Sequence, residues 1–142
     1  MSLPVLPEAP VVMSMRERLL ARLAVAAGYR LANRPPKRIR AVLSRVRGNA
    51  PAATYEQVKH ARDSVLTVST RCCGSEACLP RSIAVALLCR ARSHWPTWCV
   101  GVIAAPPFMA HAWVEADGVM VDEPVDSEFY RKFFSVPPQE SG

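Results

Sequence analysis

The stretch Cys78-Leu79-Pro80-Arg81-Ser82 decides how the second half of the chain is expected to fold, because it joins a polar loop to a long apolar run. The apolar residues after it recur at helical spacing, as Ile83, Ala84, Leu87, Leu88 and Ala91. A proline is tolerated only in the first turn of a helix, so Pro80 places the start of a buried helix at Leu79. We therefore expect Cys78 to lie just outside that helix, where unpaired N–H groups favour a thiolate and can stabilise an oxyanion.

A strand-like block follows further along the chain, Ala110-His111-Ala112-Trp113-Val114-Glu115. A buried strand over residues 98–103 precedes this block, and two prolines separate them. Asp117-Gly118 is a strong signal for a two-residue hairpin turn, after which residues 119–122 are expected to return as the next strand. The pattern predicts a small antiparallel sheet that carries His111 close to the start of the helix.

Two acidic residues, Asp122 and Glu123, follow the turn, so the chain offers cysteine, histidine and carboxylate in an order typical of thiol hydrolases. A two-residue turn pairs residues 116 and 119 and puts Asp122 on the face that carries His111. A longer loop or a bulge would turn Glu123 toward His111 instead. Strand geometry favours Asp122, and both residues stay candidates for the acid.

The first half of the chain predicts three amphipathic helices, over residues 14–33, 36–47 and 54–69. The first and third begin with capping boxes, Ser14-Met15-Arg16-Glu17 and Thr54-Tyr55-Glu56-Gln57. In the first helix the residues expected to pack inward are Leu19, Leu20, Leu23, Ala26 and Ala27. Near the other end of the chain, residues 127–134 are predicted to form one short aromatic-rich helix.

Composition limits the classes of function. The net charge of +6 comes mostly from arginines before residue 48, and solvated helix faces are its simplest explanation, followed by an acidic partner. No nucleic-acid motif accompanies these charges. No apolar run is long enough for a membrane span, and no signal peptide precedes the five cysteines, so we expect a cytoplasmic protein with reduced thiols.

The cysteine and histidine blocks closely resemble those of the lasso-peptide leader peptidases, transglutaminase-like cysteine proteases of bacterial lasso-peptide biosynthesis. The resemblance covers roughly residues 72–130 and is carried by Cys78-Leu79-Pro80-Arg81-Ser82 and by Pro107-Phe108-Met109-Ala110-His111-Ala112-Trp113-Val114-Glu115. It implies an α+β fold in which a helical N-terminal half packs on a transglutaminase-like or papain-like core with a catalytic helix and a small antiparallel sheet. It also implies a docking region over residues 1–50 and a peptidase core over residues 51–142.

The resemblance further implies roles and partners. Cys78 would be the nucleophile, and His111 would act as general base and then as acid to the leaving amine. The substrate would be a precursor peptide whose leader is removed, and the chain's short length resembles the split form, which acts with a separate leader-recognition protein. The ATP-dependent cyclase that closes the macrolactam ring is a further candidate partner.

The acid departs from the family pattern, which commonly has Val-Asn-Asp-Pro where this chain has Val121-Asp122-Glu123-Pro124. Alignment to that pattern places the family aspartate at Glu123, whereas residue type and hairpin geometry favour Asp122. No cofactor or metal is expected, because the cysteines do not form the paired Cys-x-x-Cys knuckles of a structural zinc site. The alternatives to a peptidase are an acyl transferase on the same fold and a non-catalytic peptide-binding module on an inactive protease scaffold.

Overall fold

The computed structural model describes Pro7 and residues 11–74, 77–104, 109–121 and 130–139. Its helices are α1 (Met15–Ala32), α2 (Pro36–Arg47), α3 (Tyr55–Val68), a short 3₁₀ helix (Thr70–Cys73) and α4 (Cys78–Ala91). Its strands are β1 (Thr97–Ile103), β2 (Met109–Ala116), β3 (Val119–Met120) and β4 (Tyr130–Val136). The strands form one antiparallel sheet in the order β3-β2-β1-β4. The predicted α+β class is confirmed.

The predicted helix starts are confirmed by their caps. The Ser14 hydroxyl accepts from the Glu17 backbone N–H at 3.2 Å, and the Glu17 carboxylate accepts from the Ser14 N–H at 3.4 Å. Thr54 and Gln57 form the same reciprocal pair at 3.2 and 2.8 Å. Each box satisfies backbone donors that a helix start leaves without an intrahelical partner, so the local sequence alone sets these two boundaries.

Helix α1 turns a different face inward from the one its leucines predict. Its buried residues are Ala21, Ala24 and Gly28, whereas Leu19 and Leu23 are 59% and 58% exposed. A Cβ at Gly28 would lie 2.7 Å from the Pro80 carbonyl oxygen, so α1 and α4 approach too closely for a larger side chain. The expectation that Leu19 and Leu23 pack inward is wrong, because close helix packing selects the small residues.

The last strand corrects a second expectation. Residues 130–134 belong to β4 and not to a helix, while residues 127–129 lie outside the described part of the chain. These residues form a strand because they pair with β1. Aromatic residues suit a half-buried position in a sheet as well as one in a helix. A register shift lies between Val100 and Gly101, where a Cβ on Gly101 would overlap the Arg131 carbonyl oxygen. Only glycine allows β4 to approach β1 so closely there.

The two faces of the sheet have different neighbours. On one face the Trp98 indole N–H donates to the Ser82 hydroxyl of α4 at 3.0 Å, and Val114 joins the main hydrophobic core. On the other face Cys99, Trp113 and Tyr130 form a smaller cluster. The main core also contains residues of all four helices, so the helical half and the sheet are packed together. Among the described residues, no helix is both long enough and apolar enough to cross a membrane.

We predict that Gly28→Ala lowers the free energy of unfolding by about 1–3 kcal/mol, because the added methyl group meets the α4 backbone. This loss opposes a gain of up to about 1 kcal/mol from the better helix propensity of alanine. Chemical denaturation followed by circular dichroism measures the difference. Ala26→Leu on the exposed face is the control and should change stability by less than about 0.5 kcal/mol. A stabilising Gly28→Ala would contradict the close α1–α4 packing.

Candidate functional site

Cys78 is the first residue of α4, so the helix begins one residue earlier than Pro80 suggested. The residue before it, Ala77, is the N-cap and provides no side-chain hydrogen bond to the helix start. The Ala77 carbonyl accepts from the Arg81 N–H at 2.8 Å, which closes the first turn. The partly buried thiol therefore lies beside backbone N–H groups that no side chain of the N-cap satisfies.

The structure brings the Cys78 thiol and the His111 imidazole together. Burial raises the pKa of the Cys78 thiol, but hydrogen bonds from the His111 side chain and the Ala112 backbone oppose that effect. The charges of His111 and Arg81 act in the same direction, and the pKa of Cys78 lies below its usual value. A thiol with a lowered pKa carries more of the nucleophilic thiolate at neutral pH.

The side of β2 that faces β3 is where the start of α4 reaches the strand histidine. The Val121 N–H donates to the Val114 carbonyl at 3.1 Å, so the backbone of residue 114 points toward the β3 side. Ala112 lies two residues earlier, and its backbone points to the same side; within the described residues, β3 pairs with Glu115 and Ala116. The Cys78 sulfur occupies this position and accepts the Ala112 backbone N–H.

Aromatic rings fix the orientation of His111. The imidazole is 4% exposed and stacks on Trp113, with ring centroids 5.9 Å apart and an interplanar angle of 18°. Tyr130 packs against it from β4 at 5.3 Å and contacts Trp113 at 5.1 Å. Gly101 lies directly opposite His111 in the β1–β2 register. The histidine is thus held between rings of two strands, which restricts its rotation toward or away from the thiol.

Glu115 supports this aromatic group from the same strand. Its carboxylate accepts from the Trp113 indole N–H at 2.9 Å and pairs with the Lys132 ammonium at 3.1 Å. The side chain of Glu115 is only 16% exposed. Burial and the nearby Glu115 charge raise the pKa of the Cys99 thiol to about 12. The Glu115–Lys132 ion pair links β2 to β4, and the same carboxylate holds the Trp113 ring that stacks on His111.

Arg81 lies in the motif that runs from Cys78 to Ser82, but the sequence alone assigned it no role. Its side chain is 5% exposed, and its Nη1 donates to the Cys72 carbonyl at 3.0 Å and to the Gly74 carbonyl at 3.4 Å. Both acceptors are neutral, and the positive charge of Arg81 lowers the pKa of the Cys78 thiol. Arg81 ties the segment before α4 to the helix and favours the thiolate. The sequence signal for it was an arginine in the first turn of a mostly apolar helix.

The two candidates for the acid, Asp122 and Glu123, lie outside the described residues. The described hairpin pairs Ala116 with Val119, and Asp117 and Gly118 have φ angles of 54° and 75°. The predicted two-residue turn is therefore confirmed. A two-residue turn is the case in which strand geometry favours Asp122 over Glu123 as the acid.

The other four cysteines differ from Cys78 in environment. All five are free thiols, and Cys72, Cys89 and Cys99 are buried. Burial raises the pKa of Cys89 to about 12, and it also raises the pKa of the partly buried Cys73. Within the described part of the chain, no three or more His, Cys, Asp or Glu side chains are arranged to hold a metal ion.

We predict that iodoacetamide at neutral pH modifies Cys78 at least about tenfold faster than Cys73, because the pKa of Cys78 is lowered whereas that of Cys73 is raised. Cys73 is the internal control, since it is also partly buried and lies close in sequence. Peptide mapping by mass spectrometry after timed labelling measures both rates. Faster labelling of Cys73, or equal labelling of all five thiols, would contradict the assigned environment.

Replacing Arg81 by methionine should slow the labelling of Cys78 at neutral pH, because the thiol loses a nearby positive charge. The Cys72 and Gly74 carbonyls also lose their donor, which should lower the free energy of unfolding by about 1–3 kcal/mol. Arg81→Lys keeps the charge and should recover more of the labelling rate. If Cys78 is labelled at the wild-type rate in both the Arg81→Met and the Arg81→Lys proteins, the assigned effect of the Arg81 charge on Cys78 is wrong.

Comparison with known proteins agrees with this fold. A family model described as the transglutaminase-like superfamily matches residues 21–135. Neither a curated protein nor a solved structure gives a significant match. The superfamily includes cysteine proteases, and enzymes with this fold are typically cysteine proteases or acyltransferases. Because the match extends from α1 to β4 and covers most of the chain, the protein belongs to the transglutaminase-like superfamily.

Proposed function

We propose that the protein is a cysteine peptidase in which Cys78 is the nucleophile and His111 is its base. The observation that carries this proposal is the Cys78 thiol at the start of α4, hydrogen-bonded to His111 and with a lowered pKa. A buried structural cysteine would have a raised pKa, as Cys89 and Cys99 do. Membership of a superfamily that includes cysteine proteases supports the same reaction.

The reaction would proceed through a thioester. The His111 imidazole takes the thiol proton, and the Cys78 thiolate attacks the peptide carbonyl carbon to form a tetrahedral oxyanion. Backbone N–H groups in the first turn of α4 would stabilise that oxyanion. His111 then donates its proton to the leaving amine, which gives an acyl-enzyme and frees the new amino terminus. A water molecule activated by His111 hydrolyses the thioester and restores the thiol.

An acid would complete the site by holding the imidazole in orientation and stabilising its cation. Asp122 and Glu123 both stay candidates, with hairpin geometry favouring Asp122 and the family pattern favouring Glu123. The stacked Trp113 ring and the tilted Tyr130 ring would hold the other sides of the imidazole.

The substrate we propose is the leader segment of a ribosomally made lasso-peptide precursor. The support for this finer assignment is the sequence likeness of the Cys78 and His111 blocks to the leader peptidases of that pathway. Removal of the leader would free the amine that a separate ATP-dependent cyclase joins to an acidic side chain. A separate leader-recognition protein would present the precursor, with residues 1–50 as the docking region.

A second candidate is acyl transfer, which the fold favours because acyltransferases share it. Both reactions use the same thioester and differ in what attacks it. An amine acceptor gives a new amide, whereas water gives a free acid. The mass of the product distinguishes them directly.

We predict that Cys78→Ala reduces leader removal by about a thousandfold or more, because the thioester cannot form. His111→Ala should cause a loss of similar order, since the two residues act as a unit. The measurement is mass spectrometry of a candidate precursor incubated with the protein and the recognition protein. In the wild type the rate should fall as the pH falls through the lowered pKa of Cys78.

The matched control for this experiment is Cys73→Ser, which removes a nearby thiol and should retain cleavage. Circular dichroism confirms that each variant is folded. Undiminished leader removal by folded Cys78→Ala protein would exclude the proposed mechanism. Comparison of Asp122→Asn with Glu123→Gln in the same assay assigns the acid, and we expect the larger loss from Asp122→Asn.

A further inference from the structure

Helix α1 carries a continuous apolar row on its solvent-facing side. Val12, just before the helix, is 97% exposed and Met15 is 85% exposed, and Leu19 and Leu23 continue the row. Met15, Leu19 and Leu23 follow one another at intervals of four and so share one face of the helix; with Val12, which precedes them, they are here called the α1 stripe. A single exposed leucine needs no explanation, but a contiguous apolar row of this kind marks an interaction site.

The row continues into a groove between helices. Ala27 and Leu31 follow Leu23 at intervals of four, and both line a cavity of about 580 Å³. The rest of its apolar lining comes from α2 and α4, namely Val42, Val46 and Leu87. We call this cavity the α1–α2 groove. Met15 and Leu31 are about 24 Å apart along the helix axis, and the row winds round α1 by about 40° at each interval of four, which brings it from the solvent-facing side to the groove.

Positive charge surrounds this surface. Arg30 and Arg34 line the α1–α2 groove, and exposed Arg16 and Arg22 lie on α1 beside the stripe. A neighbouring cavity on α2 is lined by further basic residues, Lys37, Arg38 and Arg45. Between residues 11 and 47 the sequence has ten arginines and lysines and one acid, Glu17. A partner that covers the apolar row therefore needs negative charge along both of its sides.

We propose that the α1 stripe and the α1–α2 groove bind an amphipathic α-helix with acidic flanks, supplied by another polypeptide. An apolar helix face laid into a hydrophobic groove is a common mode of peptide recognition, and charge complementarity sets its partner. A second copy of this chain is unsuitable, because its arginines would face those of the first copy. The groove is concave, which suits a helix better than a flat membrane surface. The proposal rests on the proposed function only for the docking role of residues 1–50; because its test measures binding without cleavage, it can fail while Cys78 remains the nucleophile.

The test uses the full chain and a fluorescently labelled synthetic helix with leucine at helical spacing and glutamate at its flanks. Fluorescence anisotropy should show saturable binding. Leu19→Ser combined with Leu23→Ser should weaken that binding at least about tenfold. The matched control is Phe133→Ser, which removes a 69% exposed apolar side chain on β4 and should leave binding unchanged. Unaltered labelling of Cys78 in each variant confirms that the fold is intact.

Other outcomes overturn the proposal and identify a different occupant. Equal binding of a peptide with lysine in place of glutamate, or no effect of the leucine substitutions, excludes an acidic helix at this surface. A dimer in light scattering that the same substitutions dissociate identifies a second copy. Binding to phosphatidylglycerol vesicles in preference to the acidic peptide identifies a membrane. A tenfold or greater gain in peptide affinity on Val5→Ser with Leu6→Ser identifies the chain's own first residues as the occupant.

Discussion

The contact between the start of α4 and the β3 side of β2 is the constraint on which the candidate site depends. The Cys78 sulfur accepts the Ala112 backbone N–H and meets His111, so one edge of the sheet fixes the thiol and the imidazole together. The tight Asp117-Gly118 turn fixes the register in which β3 pairs with Glu115 and Ala116 at the far end of β2. The thiol is thereby held by strand backbone on one side and by a helix start on the other, which favours its ionised form.

The surroundings keep this contact in place. The missing side chain of Gly28 lets α1 pack closely on the first turn of α4 next to Pro80. Arg81 donates hydrogen bonds to two neutral carbonyls in the segment before α4. Its positive charge lowers the pKa of the Cys78 thiol. On the strand side, His111 is stacked on Trp113, whose indole N–H is held by Glu115. Close packing of α1 also has a consequence for the surface, because the face that carries Leu19 and Leu23 is left exposed.

Much of the fold follows from local sequence, and what was mispredicted has physical causes. Capping boxes and the Asp117-Gly118 turn act within a few residues, so they predicted two helix starts and the hairpin correctly, and Pro80 predicted the start of α4 to within one residue. The inward face of α1 could not be predicted, because hydrophobicity favours leucine whereas the actual packing depends on how closely α4 approaches. Residues 130–134 were predicted as helix, because a short aromatic run does not distinguish a helix from an edge strand. The order of the cysteine and histidine motifs predicted that Cys78 and His111 lie close together. The role of Arg81 could be seen only in the structure, because its hydrogen-bond partner lies in the segment before α4.

The most direct test of the central claim is a pH titration of the Cys78 thiolate, followed by its ultraviolet absorbance in the wild-type and His111→Ala proteins. Subtracting the same titration of Cys78→Ser protein removes the signal of the other four thiols and the tyrosines. The structure predicts that Cys78 ionises at a lower pH in the wild type than in His111→Ala, because the imidazole stabilises the thiolate. Superimposable titrations from the two folded proteins would contradict the claim that the edge of β2 couples these two residues.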